Sequence, residues 1–280
     1  MIRVVKFKNK KMKKEAVVVI PVYKTELSNF ERVSLERISK VLGGNYDVVV
    51  VKPEKIRKIF MPKKLKNVAI CFESFKNSFF ESKNSYNNLM RDRSFYERFG
   101  RYKYILVAQT DSYIFEDELG KWCKKDFDYI GAPWVYEKYG RKFLGGVGNG
   151  GLSLRKVDSM VEIINRLNRY DLKNVKRTLS SKSTLINIIN YYANNRDLIN
   201  KKIYPKRYYQ NEDKFWGTCV KDIFDWFSVP KAKEALKFSF DVCPSYLYKM
   251  NNRGLPFGCH GWWKNEPEFW SRKIPELKDR

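Results

Sequence analysis

Apolar positions along this chain change spacing in a repeating order, from short continuous runs to stripes three and four residues apart and back again. Ala16 to Val22 is a run of β-branched residues closing on Pro21-Val22-Tyr23, and it predicts a strand. Phe30, Val33, Leu35, Ile38, Val41 and Leu42 then follow helical spacing. Ser28, with Glu31 three residues on, has the form of a capping box, and Gly43-Gly44-Asn45 supplies the stop. Asp47 to Val51 is a second buried run, halted by Lys52-Pro53. Strand, helix, strand is the unit that builds a parallel sheet, because parallel neighbours need a crossover. The expected fold class is α/β, with a mostly parallel central sheet flanked by helices.

The pattern continues beyond this unit. Val68 to Phe72 predicts a third strand, and Ser85 to Phe99 a helix closed by Gly100. Tyr104 to Ala108 is apolar without helical spacing, which suits a strand covered on both faces. Asp128 to Trp134 predicts a strand entering a turn, and Leu144 to Gly151 a glycine-rich loop. Leu152 to Leu154 leads into a helix over Val157 to Leu167. Ile2 to Phe7 is a further candidate strand. Residues 170–206 are polar and amphipathic and predict a helical insertion, a lid or a docking arm. Asn211 to Phe227 is expected to be helical, Leu236 to Asp241 a strand, and Pro256 to Trp263 turn-rich. No repeat and no long linker divides the 280 residues, so one domain over 1–280 is expected.

Composition narrows the classes. Hydrophobic content of 43% is enough for a real core. The net charge of +25 speaks about partners rather than fold, and suits nucleic acid, an anionic membrane face or a phosphate-rich substrate. An A+T-rich coding sequence would also raise the lysine count. Five cysteines without a C-x-x-C pair suggest neither a disulfide framework nor a zinc site, and so reduced cytosolic thiols. The apolar run after the basic first residues is too short for a signal peptide or a spanning helix. The expected location is cytoplasmic, with the inner membrane face as a possible surface.

Four places carry chemistry. Asp111 follows the Tyr104 to Ala108 run, at the mouth of a buried strand, where open α/β sheets place their ligands. Hard divalent ions take oxygen ligands and share them with substrate phosphates, so Asp111 is a candidate for holding a metal–nucleotide complex; an Asp that only starts a turn is the plainer alternative. Gly145-Gly-Val-Gly-Asn-Gly-Gly151 lets a ligand approach the backbone, with Asn149 as a hydrogen-bonding group, or is a flexible turn. Its spacing is neither the dinucleotide fingerprint nor a phosphate loop. Glu212 and Asp213 either cap a helix or offer a carboxylate that takes a proton from an attacking hydroxyl. His260 is the one histidine in the chain, set among glycines and tryptophans, and is a structural residue or a metal ligand.

Taken in order, Val19-Ile-Pro-Val-Tyr23, Gln109-Thr-Asp-Ser112, Tyr129-Ile-Gly-Ala-Pro-Trp134, Gly148-Asn-Gly-Gly-Leu-Ser-Leu154, Asn211-Glu-Asp213 and Pro256-Phe-Gly-Cys-His-Gly261 resemble bacterial glycosyltransferases of the GT-A type. The pattern is similar above all to an uncharacterised bacterial glycosyltransferase-like domain family. The resemblance implies a GT-A-like fold and a hexosyltransferase-like enzyme. Such an enzyme moves a sugar from a nucleotide-diphosphate donor, UDP-sugar foremost, to a glycan or lipid-diphosphate-linked acceptor in surface polysaccharide or glycoconjugate synthesis. It implies inversion at the anomeric carbon. It also implies Mn2+ or Mg2+ on Asp111 and His260, with Gln109 standing where the first Asp of a D-x-D motif would be. Asp213 would be the base, with Glu212 the alternative or an acceptor-binding group. Pro21, Val22 and Tyr23 would border base and ribose, and Asn149, Gly150 and Gly151 would line the donor sugar or acceptor. Trp134, Trp262 and Trp263 are candidates for stacking on sugars, with core packing the equal alternative for each. Two rival readings are a basic nucleic-acid-binding protein and, because of Gln109, a scaffold of this type without activity.

Overall fold

The computed structural model describes residues 13–65, 68–169 and 211–277. In chain order its strands are β1 (Lys14–Pro21), β2 (Asp47–Pro53), β3 (Ile70–Phe75), β4 (Tyr102–Ala108), β5 (Ser112–Ile114), β6 (Tyr129–Ile130), β7 (Pro133–Lys138), β8 (Arg141–Val147), β9 (Leu152–Lys156), β10 (Ser239–Phe240) and β11 (Gly258–His260). Helices α1 (Asn29–Leu42), α2 (Lys83–Leu89), α3 (Arg93–Arg98), α4 (Leu119–Lys124) and α5 (Val157–Arg169) alternate with them through the first two thirds. The central sheet has the order β3-β2-β1-β4-β9-β6. β1 to β4 are parallel to their neighbours among themselves, whereas β9 runs antiparallel to both β4 and β6. The α/β class and the mostly parallel sheet are thus as the sequence predicts.

The period of two in the strands assigns side chains to two cores. Val18, Ile20 and Leu106 face one side, where they pack with Leu35 and Ile38 of α1. Val17, Val19, Ile105 and Val107 face the other, with Phe95 of α3 and Ile163 and Ile164 of α5. Both faces are covered, so the strands read as unbroken apolar runs rather than alternations. The capping box of α1 is formed as expected, with Glu31 Oε2 accepting from the Ser28 N–H at 2.8 Å. A small second sheet, β10-β11-β5, pairs β11 antiparallel with β5 and sets His260 opposite Ser112.

Several elements differ from expectation. The helix predicted over Ser85 to Phe99 is two helices, because Asp92 accepts from the Ser94 N–H at 2.9 Å and caps a new start. β3 runs on to Phe75, but Cys71 and Phe72 are exposed on the sheet edge, so its period is hard to read. The strand expected over Leu236 to Asp241 is a helix, Ala232–Phe238, followed by the two residues of β10. The first half of the expected glycine loop is strand β8, paired with β7 in a hairpin. There Gly145 lies under the Tyr136 ring, and Gly146 and Gly148 lie under Trp134, where any Cβ would collide with the rings. Asn211 to Phe227 is helical only as far as Ile223, through Glu212–Lys214, a π-helical turn over Phe215–Cys219, and Val220–Ile223. The predicted strand at Ile2 to Phe7 and the predicted insertion over 170–206 lie outside the described residues. Among the described residues no helix is long and apolar enough to cross a membrane.

Candidate active site

Strand order reverses between β1 and β4, since the chain goes from β1 outward to β2 and β3 and then returns to the other side. Open α/β sheets bind ligands outside the carboxyl ends of the strands at such a switch point. A cleft of about 540 Å³ opens there. Pro21 and Tyr23 reach it from the end of β1, and Gln109 and Asp111 from the end of β4. Asn149, Gly150 and Gly151 form its floor ahead of β9. Glu212 and Asp213 enter from the helix start, and His260 from β11. Residues up to 243 positions apart in sequence therefore share one cavity (Pro21 to Lys264).

Val22 is the exception, because its side chain points into the core beside Ile20 and Leu27 and borders no ligand space. Alternation along an extended chain sends Pro21 and Tyr23 one way and Val22 the other. The tryptophans also divide. Trp262 is buried, donating from Nε1 to Ser34 Oγ at 2.9 Å, and Trp134 covers the hairpin glycines. Only Trp263 of the three lines the cleft, stacked on Phe30 with ring centroids 5.4 Å apart.

Asp111 is the hub of the charged groups. Its Oδ1 stands 3.1 Å from His260 Nε2, and its Oδ2 accepts from Lys264 Nζ at 2.6 Å. His260 Nδ1 lies 3.1 Å from Asp241 Oδ1. Gly151 makes this possible, since a Cβ there would occupy the space of the imidazole. Burial opposes the charge on Asp111, but His260 and Lys264 win and hold its carboxyl well below the usual range. Burial likewise opposes the imidazolium, yet Asp111 and Asp241 push the His260 pKa up to about 10. Lys264 and Asp241 were missed from sequence: the first is one of many lysines, and the second sits three-dimensionally, not sequentially, beside His260.

A second cluster lies under the floor. Arg155 is fully buried on β9 and donates to Glu212 Oε1 at 2.8 Å, to Tyr96 Oη at 3.1 Å and to Ser153 Oγ at 3.0 Å. A Cβ on Gly150 would meet the Glu212 carboxylate, so the glycine leaves room for it. Burial, reinforced by Asp213, lifts the Glu212 pKa against the pull of Arg155. Burial also lifts that of Asp213, whose Oδ1 accepts from the Lys214 N–H at 2.8 Å. Glu212 Oε2 and Asn149 Nδ2 are buried and have no hydrogen-bond partner among the described residues, whereas His260 Nε2 faces Asp111 Oδ1. Buried polar atoms are nearly always paired, so an unpaired carboxylate oxygen and an unpaired amide nitrogen at a single cleft mark a surface built for a polar ligand.

Among the described residues no three of His, Cys, Asp and Glu are arranged to hold a metal ion. Asp111 Oδ1 and His260 Nε2, 3.1 Å apart, are the atoms that could hold a divalent ion as a pair once the imidazolium gives up its Nε2 proton, with Asp241 behind the ring. Mg2+-type ions accept such sparse protein ligation when substrate phosphates and water complete the shell.

Folds of this kind occur in glycosyltransferases. The structure of mouse xyloside xylosyltransferase 1 matches 88% of this chain and 97% of its own, with a TM-score of 0.50 and 12% identity. A glycosyltransferase involved in glycosylation of the major capsid of PBCV-1 matches 88% of this chain and 93% of its own, with a TM-score of 0.42 and 9% identity. The glycosyltransferase GlyE of Streptococcus pneumoniae TIGR4 matches 89% of this chain at a TM-score of 0.38 and 12% identity, and this chain spans 54% of its length. At such identities the likeness is one of fold. In sequence, the chain belongs to the family described as "Protein of unknown function (DUF5672)", whose model matches residues 69–260, from the approach to β3 through His260. No curated protein matches it in sequence.

Proposed function

We propose that the protein is a glycosyltransferase that moves a sugar from a nucleoside-diphosphate donor to a hydroxyl of a glycan or lipid-linked acceptor. The observation that carries this reading is the meeting, in one switch-point cleft, of a cation-bearing hub at Asp111 with two adjacent carboxylates, the buried Glu212 and the half-buried Asp213.

The chain's own groups account for the chemistry. Tyr23, exposed at the rim, and Pro21 form a surface for the base. Lys264 and His260 offset the negative charge that grows on the departing diphosphate. A divalent ion, if bound, would be held by Asp111 and His260 and would neutralise the same charge. Asp213 takes the proton of the acceptor hydroxyl as that oxygen bonds to the anomeric carbon and the bond to the diphosphate breaks. Its raised pKa makes it a stronger base than an ordinary aspartate. Attack opposite the leaving group inverts the anomeric configuration. Glu212, fixed by Arg155, presents Oε2 to a sugar hydroxyl.

The test is a thermal-shift screen of UDP-sugars with and without Mn2+. A UDP-sugar is expected to raise the melting temperature, and Asp111→Ala to abolish the rise. No response to any nucleotide-sugar would leave an inactive scaffold as the better description. Tight, salt-sensitive RNA binding in its place would favour a nucleic-acid-binding protein.

A further inference from the structure

We propose that the β7–β8 hairpin is a docking element for an anionic lipid surface. The ribbon has two unlike faces. Val135 and Leu144 pair across it and pack on the core around Trp262 and Trp270. On the opposite face Tyr136 pairs with Phe143 and Lys138 with Arg141. Tyr136 and Phe143 are each nearly half exposed, with ring centroids 5.7 Å apart. Tyr139 at the tip is 90% exposed, and Lys138 Nζ stands 5.1 Å from its ring centre.

The tip is built against local preference. Tyr139 and Gly140 both have positive φ, at 52° and 69°, as a tight two-residue hairpin turn demands. Asn or Asp is the usual first residue there, and a bulky aromatic in that conformation costs energy. An exposed tyrosine held at such a position, beside the exposed Tyr136 and Phe143 rings, motivates a functional reading of the tip. Lys138, Arg141 and Lys142 surround it against the single carboxylate of Glu137, and all four are exposed. Charge complementarity therefore selects an anionic partner. A convex tip with a ring at its apex suits insertion among headgroups, where tyrosine is enriched, with the cations at the phosphates. Single-stranded nucleic acid instead favours a basic groove lined with stacking rings.

The full chain is tested by co-sedimentation with phosphatidylcholine vesicles, with and without phosphatidylglycerol. Binding is expected only with the anionic lipid. Combining Lys138→Ala, Arg141→Ala and Lys142→Ala should weaken partitioning on the order of a hundredfold, at about fivefold per cation. Tyr139→Ser should weaken it even in high salt, where the cations are screened. Equal binding to neutral vesicles, or partitioning untouched by both variants, would overturn the proposal. So would loss of RNA binding in both variants without any vesicle binding by the parent. None of these outcomes depends on sugar transfer, so the docking reading and the enzymatic one fail separately.

Discussion

Arg155 Nη2 lies 2.8 Å from Glu212 Oε1, and neither side chain reaches solvent. Removing one member of such a pair leaves the other's charge buried alone. Arg155→Leu is expected to cost about 3–5 kcal/mol in denaturant unfolding. Restoring neutrality with Glu212→Leu in the same chain should recover much of that loss, because a well-packed apolar pair often replaces a buried ion pair at little cost. A double variant as unstable as the single one would show that the rest of the Arg155 network, through Tyr96 and Ser153, carries the stability.

Asp213→Asn should leave the nucleotide-sugar melting shift intact while transfer falls roughly 10²–10⁴-fold. Because burial lifts the Asp213 pKa, kcat in the parent should climb with pH through a value above that of an ordinary aspartate. Unchanged turnover in the variant would pass the base role to Glu212.

His260 sets a pH dependence of stability in the presence of EDTA. An imidazole with a folded pKa of about 10 and an unfolded one near 6.5 binds its proton more tightly in the native state. Its contribution is complete below about pH 6.5 and fades as pH rises through about 10. The stability gap between the parent and His260→Gln should therefore narrow over that window. A gap that widens with pH would mean that the native imidazole is neutral.

Gly151→Ala places a methyl group where the His260 ring lies. Overpacking of this kind costs about 1–3 kcal/mol. The variant should fold, lose the charged contact to Asp111, and show a weaker response to nucleotide-sugar in the thermal-shift assay. Gly44→Ala, which meets nothing within 4 Å, is the control that should behave as the parent.

The sheet was legible because β1, β2 and β4 are covered on both faces and so appear as uninterrupted apolar runs. Asp111 could be found because it ends such a run, and His260 because it has no rival in the chain. The hairpin was not legible, since the glycines of β8 serve the rings of Tyr136 and Trp134 and look like a loop in sequence. Arg155 was hidden for a different reason. A guanidinium inside a strand next to Lys156 reads as surface, and only its partner 57 positions away explains its burial. Val22 was misassigned because a motif names neighbours in sequence, while a strand end turns them to opposite sides.

β9 enters the sheet against the direction of β4, so its beginning rather than its end meets the cleft. The ribbon that carries Tyr139 thus passes without interruption into Asn149, Gly150 and Gly151. Residues could be added or removed at the outer turn while the inner margin stays anchored by the β4–β9 ladder. The proposed docking tip and the proposed reaction site can accordingly diverge at separate rates, although one continuous stretch of polypeptide encodes both.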